Sequence, residues 1–112
     1  MNYTTFIVKG KEYKAKINAR GSVELERFLG TNPVNIILAM GETEEVPSLE
    51  KMLKIIQVAV ATFIPSFKMS DAFDMYDDFI EEGNAMSDLV PIVLDIFKAS
   101  GYLKKEEDEK NA

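Results

Sequence analysis

The chain has 112 residues and 46% hydrophobic side chains, a length and composition typical of one globular domain. It contains no cysteine and no histidine, which excludes disulfides, thiolate chemistry, zinc sites built on these residues and Ser-His-Asp triads. Its net charge is −6, and because residues 1–20 are basic while the remainder is strongly acidic, binding of nucleic acid by the body of the chain is disfavoured.

The first twenty residues predict a β-hairpin. Two β-rich runs, within residues 3–17, are joined at Lys9-Gly10. A two-residue turn there places Phe6 opposite Tyr13. The lysines of this segment either deter pairing at the sheet edge or form a basic patch that meets the acidic body of a second copy.

Five helices are predicted after the hairpin, over residues 23–29, 33–40, 48–64, 71–82 and 87–99. The segment Arg20-Gly21-Ser22 is interpreted as a break before the first helix. Ser48 is the predicted N-cap of the third helix, and Ser70 that of the fourth. The predicted inner faces are Val34, Ile37 and Leu38 on the second helix, and Ala72, Phe73, Tyr76, Phe79 and Ile80 on the fourth.

The fold class expected is therefore α+β, mostly α, with an N-terminal hairpin packed on a compact bundle of about five helices. Residues 1–103 form a single predicted domain, and residues 104–112 form a charged flexible tail. No apolar run reaches the ~18 residues that a membrane span needs. The N-terminus also lacks the basic and apolar regions of a signal peptide, so a membrane is not an expected partner.

The third helix raises the question of what covers it. From residue 58 to 64 it is apolar on all sides, so either the rest of this chain or another chain must cover its back. The hypothesis adopted is a partner-binding or self-association surface. Its predicted members lie on the back of the helix, in the connector after it and at an adaptable methionine beyond: Ile55, Val58, Thr62, Phe67, Met69 and Met75.

Catalytic and cofactor motifs are not found. The chain has no phosphate-binding loop and no dinucleotide glycine pattern. Asp74, Asp77, Asp78 and Glu81 share a helix face and could hold a hard cation, but they lack calcium-loop spacing, so a solvated polar face is the favoured interpretation. We expect no catalytic residue, no cofactor and no metal, and hence a protein that is not an enzyme.

Three segments carry a family resemblance: Gly-Thr-Asn-Pro at 30–33, Met-Ser-Asp-Ala-Phe-Asp-Met-Tyr-Asp-Asp-Phe-Ile-Glu-Glu-Gly at 69–83, and Phe-Lys-Ala-Ser-Gly-Tyr at 97–102. With these segments the chain resembles the tail assembly chaperones of long-tailed phages and prophages of Gram-positive bacteria. The resemblance implies a non-catalytic protein that binds and solubilises the tape measure protein during tail morphogenesis. It also implies the tail tube protein as a further partner, a homo-oligomer, residence in the host bacterial cytoplasm, and absence from the mature virion. A longer form made by ribosomal frameshifting near the C-terminus is a further implication, and Lys104-Lys105 could be encoded by a slippery adenine run.

Two alternatives remain open from the residues. One is a small acidic phage-encoded regulatory adaptor that binds a host nucleic-acid-binding protein through the acidic helix at 71–82. The other is a carboxylate-based metal-dependent enzyme, which requires tight binding of a divalent ion.

Overall fold

The N-terminal hairpin has the predicted register. In the computed structural model, which describes residues 2–103, strand β1 spans Thr4–Val8 and strand β2 spans Lys11–Ala15. They are antiparallel, with Phe6 opposite Tyr13. Lys9 and Gly10 form the turn with φ of 52° and 76°. A two-residue turn with positive φ at both positions matches the right-handed twist of the strands, which is why it favours this pairing.

One face of the hairpin packs on the helices. Phe6, Val8, Tyr13 and Ala15 are buried, and the rings of Phe6 and Tyr13 stack with centroids 5.3 Å apart. Ile7, on the other face, is 65% exposed. A two-stranded sheet is marginal in water by itself, so its inner face depends on this packing.

Helix α3 (Leu49–Ala61) lies at the centre of the core. Ser48 caps it as predicted, accepting a hydrogen bond from the Lys51 amide at 3.3 Å. The helix is in contact with β2, α1, α4 and α5, and every residue from 55 to 60 is buried. The apolar back of α3 up to Val60 is therefore covered by this chain itself.

Helix α1 (Ala19–Leu29) begins four residues earlier than predicted. The side-chain oxygen of Asn18 accepts a hydrogen bond from the Gly21 amide at 2.9 Å and so caps the helix. Gly21 is buried in the first turn, where an added Cβ would lie 2.7 Å from Cγ1 of Val58. The interpretation of Gly21 as a helix break is wrong, because the glycine instead allows α1 to approach α3 closely.

The remaining helices are α2 (Val34–Glu42), α4 (Met69–Glu81) and α5 (Leu89–Ala99), with a 3₁₀ turn at Met86–Asp88 before α5. The start of α4 differs from the prediction, because Lys68 rather than Ser70 is its N-cap residue. The side chain of Asp71 accepts a hydrogen bond from the Lys68 amide at 2.8 Å. This bond ties the first turn of α4 to the connector before it.

Two predicted inner faces are only partly correct: Ala72 and Phe79 of α4 are buried as predicted, and Ile37 of α2 packs against the core. On α2 the buried residue is Ile36, and Leu38 is 50% exposed. On α4 the buried residues are Ala72, Met75 and Phe79, so that face is rotated about the helix axis from the predicted one.

The hairpin and five helices confirm the predicted α+β, mostly α class. One connected core runs from the hairpin to α5. Within residues 2–103 no helix is long and apolar enough to cross a membrane. The predicted tail at 104–112 lies outside the described residues.

Candidate partner-binding surface

Four of the six residues predicted to bind a partner lie in the core. Ile55 is fully buried, and Val58, Phe67 and Met75 are 4%, 7% and 3% exposed. The expectation that the back of α3 forms an accessible surface is wrong for Ile55 and Val58, since both are buried and α1 approaches Val58 closely through Gly21. Phe67 in the connector and Met75 on α4 belong to the same buried core. Buried side chains cannot touch a partner of the folded chain, so a docking surface has to lie elsewhere.

The other two predicted residues are half-buried. Thr62 donates a hydrogen bond from its hydroxyl to the Lys16 carbonyl at 2.6 Å, so it joins the end of α3 to the segment after β2. Met69 is the first residue of α4 and lies beside exposed apolar residues of that helix. Met69 is thus the predicted residue that the structure places at an accessible apolar face.

Helix α4 carries an apolar row that the core covers only in part, since Met69 and Tyr76 pack against its edge. We call Met69, Phe73, Tyr76 and Ile80 the α4 stripe. Phe73 is 49% exposed and Ile80 38%, while Met69 and Tyr76 are half-buried. Their separations of four, three and four residues are those of the seam positions in a coiled coil, so they line one side of the helix and match the spacing of a second helix.

The two borders of the α4 stripe differ. On the side of the stripe where Tyr76 lies, the neighbouring residues around the helix are Ala72 and Phe79, and both are buried in the core. On the opposite side of the stripe, beyond Phe73 and Ile80, the neighbouring residues around the helix are acidic. They are Asp77, Asp74 and Glu81, and all three side chains are exposed. Asp74 and Asp77 form no ion pair with any residue that the structure describes. One border is thus closed by this chain, and the other is open and negatively charged.

The hairpin turn neutralises part of the acidic face of α4, including Glu81 at one end of the border. The Lys9 amide donates a hydrogen bond to the Glu82 side chain at 2.9 Å. Its ammonium lies 3.3 Å from the Asp78 carboxylate and 3.8 Å from that of Glu81. A cation near a helix C-terminus also interacts favourably with the helix dipole. The contact holds the hairpin against α4 and leaves the acidic border beside the stripe unpaired at Asp74 and Asp77.

A groove of about 280 Å³ lies between the hairpin and α4. Its wall includes Tyr13, Asp71, Asp74 and Asp78, and the Lys11 ammonium lies 5.0 Å from the centre of the Tyr13 ring. Burial raises the pKa of the Tyr13 phenol above 10.0, and the charges of Asp78 and Asp71 raise it further. Among residues 2–103 no group of three or more acidic side chains is placed to hold a metal ion. The groove is thus polar and acidic, without the donor set of a metal site.

The sequence analysis did not predict the α4 stripe as a surface, because it assigned exposed residues of α4 to the core. Phe73, Tyr76 and Ile80 were assigned to the core because they are large and apolar at helical spacing, whereas Met75 was assigned to a partner surface. In the structure Met75 is buried in the core, whereas Phe73 and Ile80 are exposed. The available signal was the width of the apolar arc of α4, which exceeds what one packed face can cover.

Comparison of the chain with protein-family models, with curated proteins and with solved structures gave no match in any of the three. The function of the surface has to be argued from its own residues.

Proposed function

We propose that this chain is a non-catalytic tail assembly chaperone of a long-tailed phage or prophage, and that it binds and solubilises helices of the tape measure protein. The observation that carries the proposal is the α4 stripe, a partly exposed apolar row with the spacing of a helix–helix seam. The family resemblance at residues 69–83 falls on α4 and the turn after it, so the resemblance and the exposed surface concern the same element.

An exposed apolar row suits a chaperone that holds amphipathic helices. Such helices bury their apolar face in a partner surface through residues spaced three and four apart. The α4 stripe offers four residues at this spacing, with Phe73 supplying the largest exposed ring. Because the row is short, the buried area falls in the range of weak, transient complexes, below ~1,200 Å² in total. Weak binding lets the client be released when tail subunits replace the chaperone.

The remaining parts of the proposal come from the resemblance. Under it, the chain acts in the host bacterial cytoplasm, self-associates, meets the tail tube protein when the client is handed over, and is absent from the finished virion. None of these steps requires a catalytic residue or a cofactor from this chain.

The test is co-expression with the tape measure protein, the long helical protein expected from a neighbouring gene. We expect the chain to raise the soluble fraction of the tape measure protein and to co-purify with it. Phe73→Asp places a charge in the α4 stripe and should abolish both effects. Leu38→Asp is the matched control, since Leu38 is 50% exposed on α2 and the substitution leaves the stripe intact. Circular dichroism should show both variants folded.

Two results would contradict the proposal. In the first, the tape measure protein stays insoluble in the presence of the wild-type chain. In the second, a host nucleic-acid-binding protein is captured instead, and capture is lost on reversing Asp74 to Lys but not in Phe73→Asp. That pattern would favour the regulatory adaptor, whose contact surface would be the exposed acidic face of α4.

A further inference from the structure

We propose that the helix that docks on the α4 stripe carries lysine or arginine along one flank only, the flank that meets Asp74 and Asp77. The inference rests on the proposed function, since it names the chemistry of the helix that such a chaperone binds. Its basis is the asymmetry of the surface. One border of the stripe is closed by core residues of this chain, and the other is a row of exposed carboxylates.

The length of the stripe defines the length of the occupant. From Met69 to Ile80 the helix advances about 17 Å, at ~1.5 Å per residue. A docked helix of three turns, about 11 residues, spans this distance. Its seam residues would pack on Phe73, Tyr76 and Ile80, and its residues on one side would lie within reach of the acidic border. Cations at those positions gain charge pairing, whereas carboxylates there are repelled.

The charges of the surface also exclude other occupants. Nucleic acid and anionic lipid surfaces are repelled by the exposed carboxylates. Residues 104–112 contain only lysine, glutamate, aspartate, asparagine and alanine, so that segment offers no large apolar side chain to cover the stripe.

A second copy of this chain fits the surface poorly. Within residues 2–103 its helix with a matching apolar row is α4 itself, whose exposed border carries carboxylates that would be repelled by those of the first copy in an antiparallel pair. Helix α1 of a second copy carries Arg20 and Arg27 on an exposed face, with the exposed apolar residue Val23 between them. Opposite a stripe of four apolar residues, one valine leaves most of the apolar area uncovered. A foreign amphipathic helix with a full apolar seam and a basic flank matches both the apolar and the charged part of the surface.

The experiment uses two synthetic peptides as probes. Both are amphipathic helices with the same leucine seam, and they differ only in having lysine or glutamate along one flank. Binding to the full chain is measured by fluorescence anisotropy at low salt. We expect the lysine peptide to bind at least tenfold more tightly than the glutamate peptide. Raising the salt concentration to screen exposed charges should remove most of that difference.

A charge-reversed variant tests whether the acidic border causes the selectivity. In Asp74→Lys combined with Asp77→Lys, the preference should invert, so that the glutamate peptide binds more tightly. The matched control is Glu26→Lys combined with Glu42→Lys, which makes the same change in net charge at exposed positions on α1 and α2. That control should keep the lysine preference, because distant exposed charges are screened.

The outcomes separate this inference from the proposed function. Equal binding of both peptides, lost in Phe73→Asp, would overturn the charge selectivity and leave the docking of helices on the stripe in place. Failure of both peptides to bind, or binding that Phe73→Asp does not change, would overturn the inference together with its surface. Sedimentation of the free chain provides one more check. Self-association that disappears in Phe73→Asp would identify a second copy as the occupant and would also overturn the inference.

Discussion

Gly21→Ala is expected to destabilise the protein although it replaces glycine by alanine inside a helix. In most helices that replacement is favourable by up to ~1 kcal/mol, because alanine has the better helix propensity. At position 21 the new Cβ would lie 2.7 Å from Cγ1 of Val58, 3.3 Å from Oδ1 of Asn18 and 3.3 Å from Cγ2 of Ile17. The first distance is shorter than any normal carbon–carbon contact, so α1 or α3 has to move.

The size of the effect follows from these two opposing contributions. Inserting a methyl group into a well-packed contact costs about 1–3 kcal/mol. The gain in propensity is at most ~1 kcal/mol and is smaller in the first turn of a helix. We therefore expect a net loss of about 1–2 kcal/mol in the free energy of unfolding. For a domain near 100 residues this corresponds to a fall in Tm of roughly 4–16 °C.

The assay is urea unfolding followed by circular dichroism, with Gly41→Ala as the matched control. Gly41 lies inside α2, and a Cβ there meets no atom within 4 Å. The same substitution should therefore stabilise the protein at position 41, by about 0.4–1 kcal/mol. Opposite signs for one chemical change at two helical positions would identify the contact with Val58 as the cause.

A double-mutant cycle tests the contact itself. Val58→Ala alone should destabilise the chain, because it removes buried methyl groups. In the presence of Val58→Ala, Gly21→Ala should cost at least ~1 kcal/mol less than it does alone, since the clashing methyl is gone. Stabilisation by Gly21→Ala in the wild-type background, or strict additivity in the cycle, would refute the reasoning. Val58→Asp places a charge in the same buried contact and should unfold the chain rather than yield a folded monomer that has lost its partner.

Three other contacts give measurable predictions. Gln57 is buried and donates a hydrogen bond to the Phe67 carbonyl at 3.0 Å. Gln57→Leu leaves that carbonyl without its partner and should lower the free energy of unfolding by about 1–3 kcal/mol in urea titrations. An unchanged free energy of unfolding would contradict this prediction. Tyr102 donates a hydrogen bond to the Ser22 hydroxyl at 2.8 Å, and Tyr102→Phe should lower Tm by an amount equivalent to about 0.5–1.5 kcal/mol. The raised pKa of Tyr13, caused by burial and by nearby carboxylates, favours the neutral phenol in the folded chain, so its contribution to stability is present below pH 10 and is lost as pH rises through the folded pKa. Absorbance titration at alkaline pH should show one tyrosine that ionises late, and this phase should be missing in Tyr13→Phe.

Local chemistry determined much of the fold. The Lys9-Gly10 turn between two β-rich runs set the register of the hairpin, because a two-residue turn leaves one way to pair the strands. Ser48 marked the start of the central helix through its own side chain. These features depend on residues within a few positions of one another, so they can be read in the sequence.

The helix faces were decided by tertiary packing. The start of α1 was misplaced because the role of Gly21 depends on Val58, which is 37 positions away in the chain. The orientation of α4 was misplaced for a similar reason. Its apolar arc includes both Met75 and Phe73, and helical periodicity alone does not say which of them faces α3.

The candidate surface could therefore be predicted only in part from the sequence. The sequence by itself determined the elements, their order, the absence of histidine and cysteine chemistry, and an excess of apolar residues on the helices. Only the tertiary structure decided where that excess lies. In the folded chain Ile55 and Val58 are buried in the core, and Phe73 and Ile80 are exposed. The physical reason is that a side chain is buried by the elements packed around its helix, and that arrangement depends on close contacts between residues far apart in the chain.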